Sequence, residues 1–316
     1  MAPSAFDPTL EHPLDVLRAA LRYSEAGQRI ALAALAATDG GGVRAPGALM
    51  VIGADRSVAG YLSGGCIDAD VMLQAQAALA ASAPRRVRYG QGSPFVDLSL
   101  PCGGAIEVAI TPDPDLPAIH VAVELLAARQ PIAIAIEADG LIRLGERFDA
   151  PSAAFVAMAR PKLRLRIAGR GADALALARI GAASGYEVVL WSQDPACIAA
   201  ASGIGITALE QLTTQSALPA HGDDPWTAFA LMGHDPDWEA ALLMDALNGP
   251  AFFIGAVGSR KAQARRAADL RQRGCAPATV ERVRGPIGLV PSLRDASMLA
   301  VSALAEIIAL WRETPA

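Results

Sequence analysis

Apolar residues at Leu14, Leu17, Ala20, Leu21 and Ala26 fall on helical spacing, which predicts a helix over residues 12–27 with Gly27 as its stop. Residues 30–37 are an unbroken apolar run, the pattern of a buried strand. The run ends in Thr38-Asp39-Gly40-Gly41-Gly42, a flexible loop leading to Arg44-Ala45-Pro46-Gly47-Ala48. Two more strands are predicted at 49–53 and 57–62, on either side of a turn at 54–56. The glycine loop, Arg44 and Ser63-Gly64-Gly65-Cys66 therefore all stand at strand ends, where loops gather into sites. A helix over 67–81 follows, with Asp68 and Asp70 in its first turn, where acidic side chains suit the helix dipole. Short strands at 87–89 and 96–100 bracket the loop Gly90-Gln91-Gly92-Ser93-Pro94, and Pro101-Cys102-Gly103-Gly104 leads into a strand at 105–110. Residues 116–128 read as a helix, and 132–137 with 141–144 as a hairpin tipped by Asp139-Gly140.

Residues 149–161 have turn and linker chemistry, which divides the chain into a domain over 1–155 that carries two cysteine motifs and a second domain over 156–316. Beyond the boundary the pattern changes. A strand at 163–168, interleaved with Arg164 and Arg166, runs straight into Gly169-Arg170-Gly171-Ala172-Asp173-Ala174, a helix to 184 and a strand at 187–191. This is a βαβ unit opening with G-x-G-x-x-A, whose glycines permit a tight turn and close approach of a pyrophosphate to the helix N-terminus. The ordinary NAD version places Asp or Glu at the end of the second strand, but this chain has Ser192, with Asp194 two residues on. Strands at 229–232 and 251–257 end in Gly233-His234-Asp235 and Gly258-Ser259-Arg260-Lys261. The second of these sets free amides, a hydroxyl and two cations at a helix start, a cradle for an anion. His234 reads equally as a ligand contact and as a satisfied core histidine. The helix to 273 carries Arg265, Arg266, Arg271 and Arg273, which read as a solvated face. Gly285-Pro286-Ile287-Gly288-Leu289 is a stiff turn before a final helix over 295–311, in which Glu306 reads as a structural hydrogen-bond partner. The fold class is α/β: an N-terminal α/β domain with the cysteine motifs and a C-terminal Rossmann-like doubly wound domain.

Composition narrows the function. A chain of 316 residues is long enough for two domains and a sizeable core. Its formal net charge of −5 offers no global attraction to nucleic acid or an anionic membrane. No apolar run reaches the roughly 20 residues that span a bilayer. The first residues lack the basic-then-apolar pattern of a secretory signal, so a soluble cytoplasmic protein is expected. The four cysteines (66, 102, 197 and 275) form no C-x-x-C pair, and reduced thiols are the default for such a protein. Cys197 and Cys275 read as small buried hydrophobes. Cys66 and Cys102 stand beside the glycine pairs Gly64-Gly65 and Gly103-Gly104, which points to ligand contact or reactivity, and a thiol at a helix start meets free amides and a dipole that favour the thiolate. Zinc is disfavoured, because the rest of that domain offers only His12 and His120 without suitable spacing. Arg44 beside its glycine-rich turn suits bidentate phosphate binding. Two other readings compete: an NAD(P)-dependent oxidoreductase with structural cysteines, and a thiol-redox protein in which Cys66 and Cys102 form a reversible disulfide.

Taken together the motifs resemble the xanthine dehydrogenase accessory factor family (XdhC/CoxI). The resemblance runs from about residue 14 to 310, through Arg44-Ala45-Pro46-Gly47-Ala48-Leu49-Met50, Ser63-Gly64-Gly65-Cys66-Ile67-Asp68, Leu100-Pro101-Cys102-Gly103-Gly104, Gly233-His234-Asp235, Ile254-Gly255-Ala256-Val257-Gly258-Ser259-Arg260, Gly285-Pro286-Ile287-Gly288-Leu289 and the block at 300–307. It implies an accessory protein, not a dehydrogenase. Such proteins bind the molybdenum cofactor, protect it, support its sulfuration with a partner cysteine desulfurase and deliver it to an apo molybdenum hydroxylase of the xanthine dehydrogenase type; the family includes homo-oligomers. The chemistry of such a cofactor, an anionic pterin phosphate whose dithiolene holds the metal, agrees with that role, and the expectation is that Cys66, with Cys102 beside it, contacts the molybdenum or its sulfur. Arg44 and the loop at 40–42, or the cradle at Ser259, would hold phosphate, and Gly169, Gly171, His234, Gly258 and Arg260 are further candidate cofactor-binding residues. The chain departs from the family pattern in Gly169-Arg170-Gly171-Ala172, where Gly-Ala-Gly-His is usual, in Ser192 and in Val290. These departures leave room for service to a carbon monoxide or aldehyde dehydrogenase instead.

Overall fold

The apolar pattern is distributed over two units in the computed structural model, which describes residues 6–7, 9–40, 44–93, 103–146, 153–220 and 222–314. The chain divides between Pro161 and Lys162. In the first unit the elements run β1 (Phe6–Asp7), α1 (Pro13–Glu25), β2 (Ile30–Asp39), β3 (Leu49–Gly53), β4 (Val58–Gly60), α2 (Asp68–Ala81), β5 (Arg85–Gly90), β6 (Ala105–Pro112), α3 (Leu116–Ala127), β7 (Ile132–Glu137), β8 (Ile142–Gly145) and β9 (Ala153–Ala159). The described strands form a sheet of order β1-β4-β3-β2-β6-β5 and a smaller one of order β8-β7-β9. Only the β1–β4 pair is parallel among them.

The unbroken apolar run of β2 has a direct explanation: both its faces are buried. Leu32, Ala34 and Ala36 pack with α1, α3 and the small sheet, while Ala31, Ala33 and Leu35 pack with Val71, Ala75 and Ala78 of α2. Thr111 ties the two sheets, its hydroxyl donating to Gly140 O at 3.0 Å and accepting from Ile142 N at 2.8 Å. Part of the stretch read as a linker is the strand β9. It pairs antiparallel with β7 and so stays with the first unit, and the 155/156 boundary falls inside it. The strand expected at 96–100 lies outside the described residues.

The second unit runs β10 (Arg164–Gly169), α4 (Gly171–Ala183), β11 (Glu187–Ser192), α5 (Pro195–Gly203), β12 (Ala208–Gln211), β13 (Thr227–Met232), α6 (Pro236–Asn248), β14 (Phe253–Ala256), α7 (Arg260–Gln272), α8 (Pro277–Val280), β15 (Val283–Arg284) and α9 (Ala296–Trp311). Its sheet is parallel throughout, in the order β12-β11-β10-β13-β14-β15. That is the order of a dinucleotide-binding fold, with its switch point between β10 and β13. Helices α4, α5 and α9 cover one face, and α6 and α7 the other. Arg164 and Arg166 are both paired within the unit. Arg164 meets Glu187 at 2.7 Å. Arg166 is fully buried between the rings of Trp191 and Phe229 and reaches Asp223 and Asp245 at 2.6 and 2.9 Å. Among the described residues no helix is long and apolar enough to cross a membrane.

Candidate functional site

Strand register gathers the first unit's candidate residues at one end of its larger sheet. Asp39 and Gly90 both pair with Ala105, Ala34 pairs with Leu49, and Met50 pairs with Gly60. The connections β2–β3, β4–α2 and β5–β6 therefore emerge together, carrying Arg44, Cys66 and Gly103-Gly104. The first and third touch: a Cβ on Gly40 would lie 3.3 Å from Gly104 Cα. Cys102, Gly41 and Gly42 lie outside the described residues.

Cys66 is exposed at the end of a turn built on Gly64 at φ +70° and Gly65 at φ +110°, backbone that L side chains rarely adopt. Of the amides expected to be free around it, those of the turn are taken, while α2 itself has no side-chain cap among the described residues. The Asp68 carboxylate accepts from Leu62 N and Ser63 N, both at 3.0 Å, and from Gly65 N at 2.7 Å. Ser63 Oγ accepts from Ile67 N at 3.0 Å. Helix α2 has Ile67 as its N-cap, so the thiol stands just before the helix. The anion held by this turn is the protein's own.

Arg44 is also committed in part. One of its nitrogens donates to Glu11 O at 2.6 Å and its guanidinium lies 4.7 Å over the Tyr61 ring, while Tyr61 donates to Glu11. Its Nη1 is buried and has no hydrogen-bond partner among the described residues. Arg88 braces the same end, reaching Glu107 at 3.0 Å, Asp39 at 3.7 Å and Gln91 O at 2.9 Å. Glu107 sits between Arg86 and Arg88, which hold its carboxyl below the ordinary value.

In the second unit Gly169, at the end of β10, presses on the end of β13, where a Cβ would come within 2.4 Å of Met232 O. Gly169, Gly171 and exposed His234 thus border the switch point, and exposed Ser259 and Arg260 lie at the end of the next strand, β14. Ser192 is fully buried and accepts from Asp194 N at 3.1 Å, so the place of the ribose-binding carboxylate is held by a turn. Ser259 Oγ caps α7 by accepting from Ala262 N at 3.1 Å. The reading of the α7 arginines as a solvated face is corrected at Arg266, which is buried. It donates to both oxygens of buried Glu239, at 2.8 and 3.0 Å, and to Val257 O at 2.6 Å. It holds down the loop that precedes the cradle.

Sequence comparison matches residues 165–307 to the XdhC Rossmann domain and residues 24–90 to the XdhC and CoxI family. The molybdenum cofactor insertion chaperone PaoD of Escherichia coli (strain K12) is 30% identical over 300 residues, which is 92% of this chain and 86% of that protein. The chain belongs to the XdhC and CoxI family. A crystal structure of a xanthine dehydrogenase from Bacillus halodurans has the same fold, with a TM-score of 0.78 over 96% of this chain and 97% of that one at 22% identity.

In this XdhC/CoxI chain the first unit offers an exposed soft donor on a rigid turn, and the second offers helix N-termini at a switch point. Asp68, Arg88, Glu239 and Arg266 bear on these sites, and sequence reasoning gave none of them that role. Asp68 carried a signal in its spacing, because an acidic residue three positions after Gly65 can reach back over the turn. Glu239 and Arg266 are 27 residues apart in sequence and carried none.

Proposed function

We propose that this chain binds the molybdenum cofactor and inserts it into an apo molybdenum hydroxylase, a xanthine dehydrogenase-type enzyme being the first candidate, with sulfuration supported by a cysteine desulfurase. The single observation that carries the reading is 30% sequence identity, over 92% of the chain, to a molybdenum cofactor insertion chaperone. The first unit suits this cargo. Cys66 is a soft, exposed ligand, and Arg44 Nη1, at the same sheet end, is a buried donor with no partner among the described residues. The cargo brings a dithiolene-held molybdenum and an anionic phosphate. Cys66 would meet the molybdenum end, with Gly64 and Gly65 allowing close approach; Cys102 is proposed as a second sulfur, and Gly103 and Gly104 belong to the β5–β6 connection at the same sheet end. Arg44, or the cradles at Gly169, Gly171, His234, Gly258, Ser259 and Arg260, would receive phosphate.

The test is the molybdenum and pterin content of the protein purified anaerobically from a cofactor-producing host. Wild type should carry both, and Cys66→Ala should keep its circular dichroism and thermal midpoint while losing them. Equal content in the two proteins would remove Cys66 from the site.

A further inference from the structure

We infer that Asp68 is the positioning residue for Cys66, and that it makes the turn a thiol-presenting site rather than an oxyanion-binding one. The inference rests on the reading above, in which Cys66 meets the cargo. Successive backbone N–H groups in a tight turn ordinarily form a nest for an external anion. Here three of them, on Leu62, Ser63 and Gly65, converge on one carboxylate at 2.7–3.0 Å. Asp68 opens α2, so the positive end of the helix dipole favours its charge as well. Ser63 closes the ring from the other side by accepting from Ile67 N. The two side chains thereby lock residues 62–67 from both ends, in a conformation with two consecutive positive-φ glycines that would otherwise be mobile. Cys66 is the exposed side chain this ring presents.

Two consequences follow. Phosphate or molybdate approaching the turn meets a carboxylate where the Leu62, Ser63 and Gly65 amides point, so those three amides are closed to it and the turn offers sulfur instead. The thiol's direction is set before the cargo arrives, as an outer group sets the direction of a metal ligand. Asparagine is a poor substitute: its carbonyl can serve Leu62 and Ser63, but its NH₂ opposes Gly65 N–H.

The experiment combines cofactor content with the alkylation rate of Cys66, read by peptide mass spectrometry after iodoacetamide pulses on the full chain. Asp68→Asn should lower molybdenum and pterin content by about 10- to 100-fold, the size usual when a group orienting a metal ligand is removed. It should change the Cys66 alkylation rate several-fold while leaving that of Cys275 unchanged. In a Cys66→Ala background Asp68→Asn should remove nothing further, because Asp68 acts through the thiol. Ser63→Ala, which leaves the carboxylate in place, should give a smaller effect of the same kind and serves if Asp68→Asn fails to fold. Unchanged alkylation and content in Asp68→Asn would overturn the inference, as would additive losses in the double variant. If Cys66→Ala alone retains the cofactor, the functional reading fails, and the alkylation rates still decide the positioning role.

Discussion

Two glycines illustrate two different reasons for having no side chain. Around Gly65 a Cβ would meet open space, but the φ of +110° is one that alanine does not share. Gly65→Ala should therefore cost about 1–3 kcal/mol through backbone strain alone, read as a lower urea midpoint with an unchanged slope. Cofactor content should fall with it, since the ring around Cys66 would have to relax. Gly169 is the opposite case. A Cβ there would press on Met232 O and C at 2.4 and 2.5 Å, so the ends of two adjacent strands would have to part. Gly169→Ala should destabilise by about 1–3 kcal/mol through overpacking and disturb the switch point, leaving the first unit's Cys66 alkylation rate as it was. Arg44 shows how a residue's type can be informative and its partners not. A guanidinium beside a glycine turn was visible in sequence, but the stacking on Tyr61 and the bond to Glu11 O depend on residues brought in from elsewhere, one just after β4 and one just before α1.

At the level of elements, α7 is fastened through a buried pair. Burial pushes the Glu239 carboxyl up, but the Arg266 and Arg265 guanidiniums outweigh it and the net position is below the ordinary value. A carboxylate lowered in the folded state contributes stability that is complete above its unfolded value, about pH 4.3, and is lost as pH falls through the lower folded value. Glu239→Gln should flatten that acid limb of thermal midpoint against pH. At neutral pH it should cost about 3–5 kcal/mol, because it leaves the Arg266 charge buried and uncompensated, with side chains only 2% and 6% exposed in the pair. The same helix shows where sequence reading stops. Its start was legible, since Ser259 caps it, and so was the start of α9, capped by Asp295. Helices α5 and α6 begin with Asp194-Pro195 and Asp235-Pro236, start signals as plain as any that were used. Strand β13 was legible because burial on both faces makes it almost continuously apolar, and β10 and β11 because they flank the glycine motif of the βαβ unit. Strands β12 and β15 run only four and two residues, too short to show a period. Strand β9 was hidden by the prolines near it and reveals itself only through its pairing with β7. At the candidate site, position at a strand end was legible for Cys66. The carboxylate that fills its amides was not, because helix-dipole reasoning explained Asp68 without looking for a partner.

For the whole molecule, the core residues decide how far the two units depend on one another. The described hydrophobic clusters do not mix: two draw only on residues 14–159 and two only on residues 163–307. The Thr111 bridge and the Arg88 brace lie within the first unit, and the Arg166 and Arg266 pairs lie within the second. A unit with its own core of this size has what an independent domain needs. Residues 162–316 expressed alone should therefore give a cooperative thermal transition and far-ultraviolet circular dichroism of a mixed α/β protein. Residues 1–161 should do the same and keep the Cys66 alkylation rate of the full chain, because the ring formed by Ser63 and Asp68 is closed within that unit. A fragment of 162–316 without a cooperative transition would mean that its sheet needs the first unit to fold. With the cut moved to 155/156, β9 is severed, so β7 loses its outer neighbour in the first fragment. That fragment should be the less stable of the two versions by several degrees in thermal midpoint; equal midpoints would favour the boundary at 155/156 over one after Pro161.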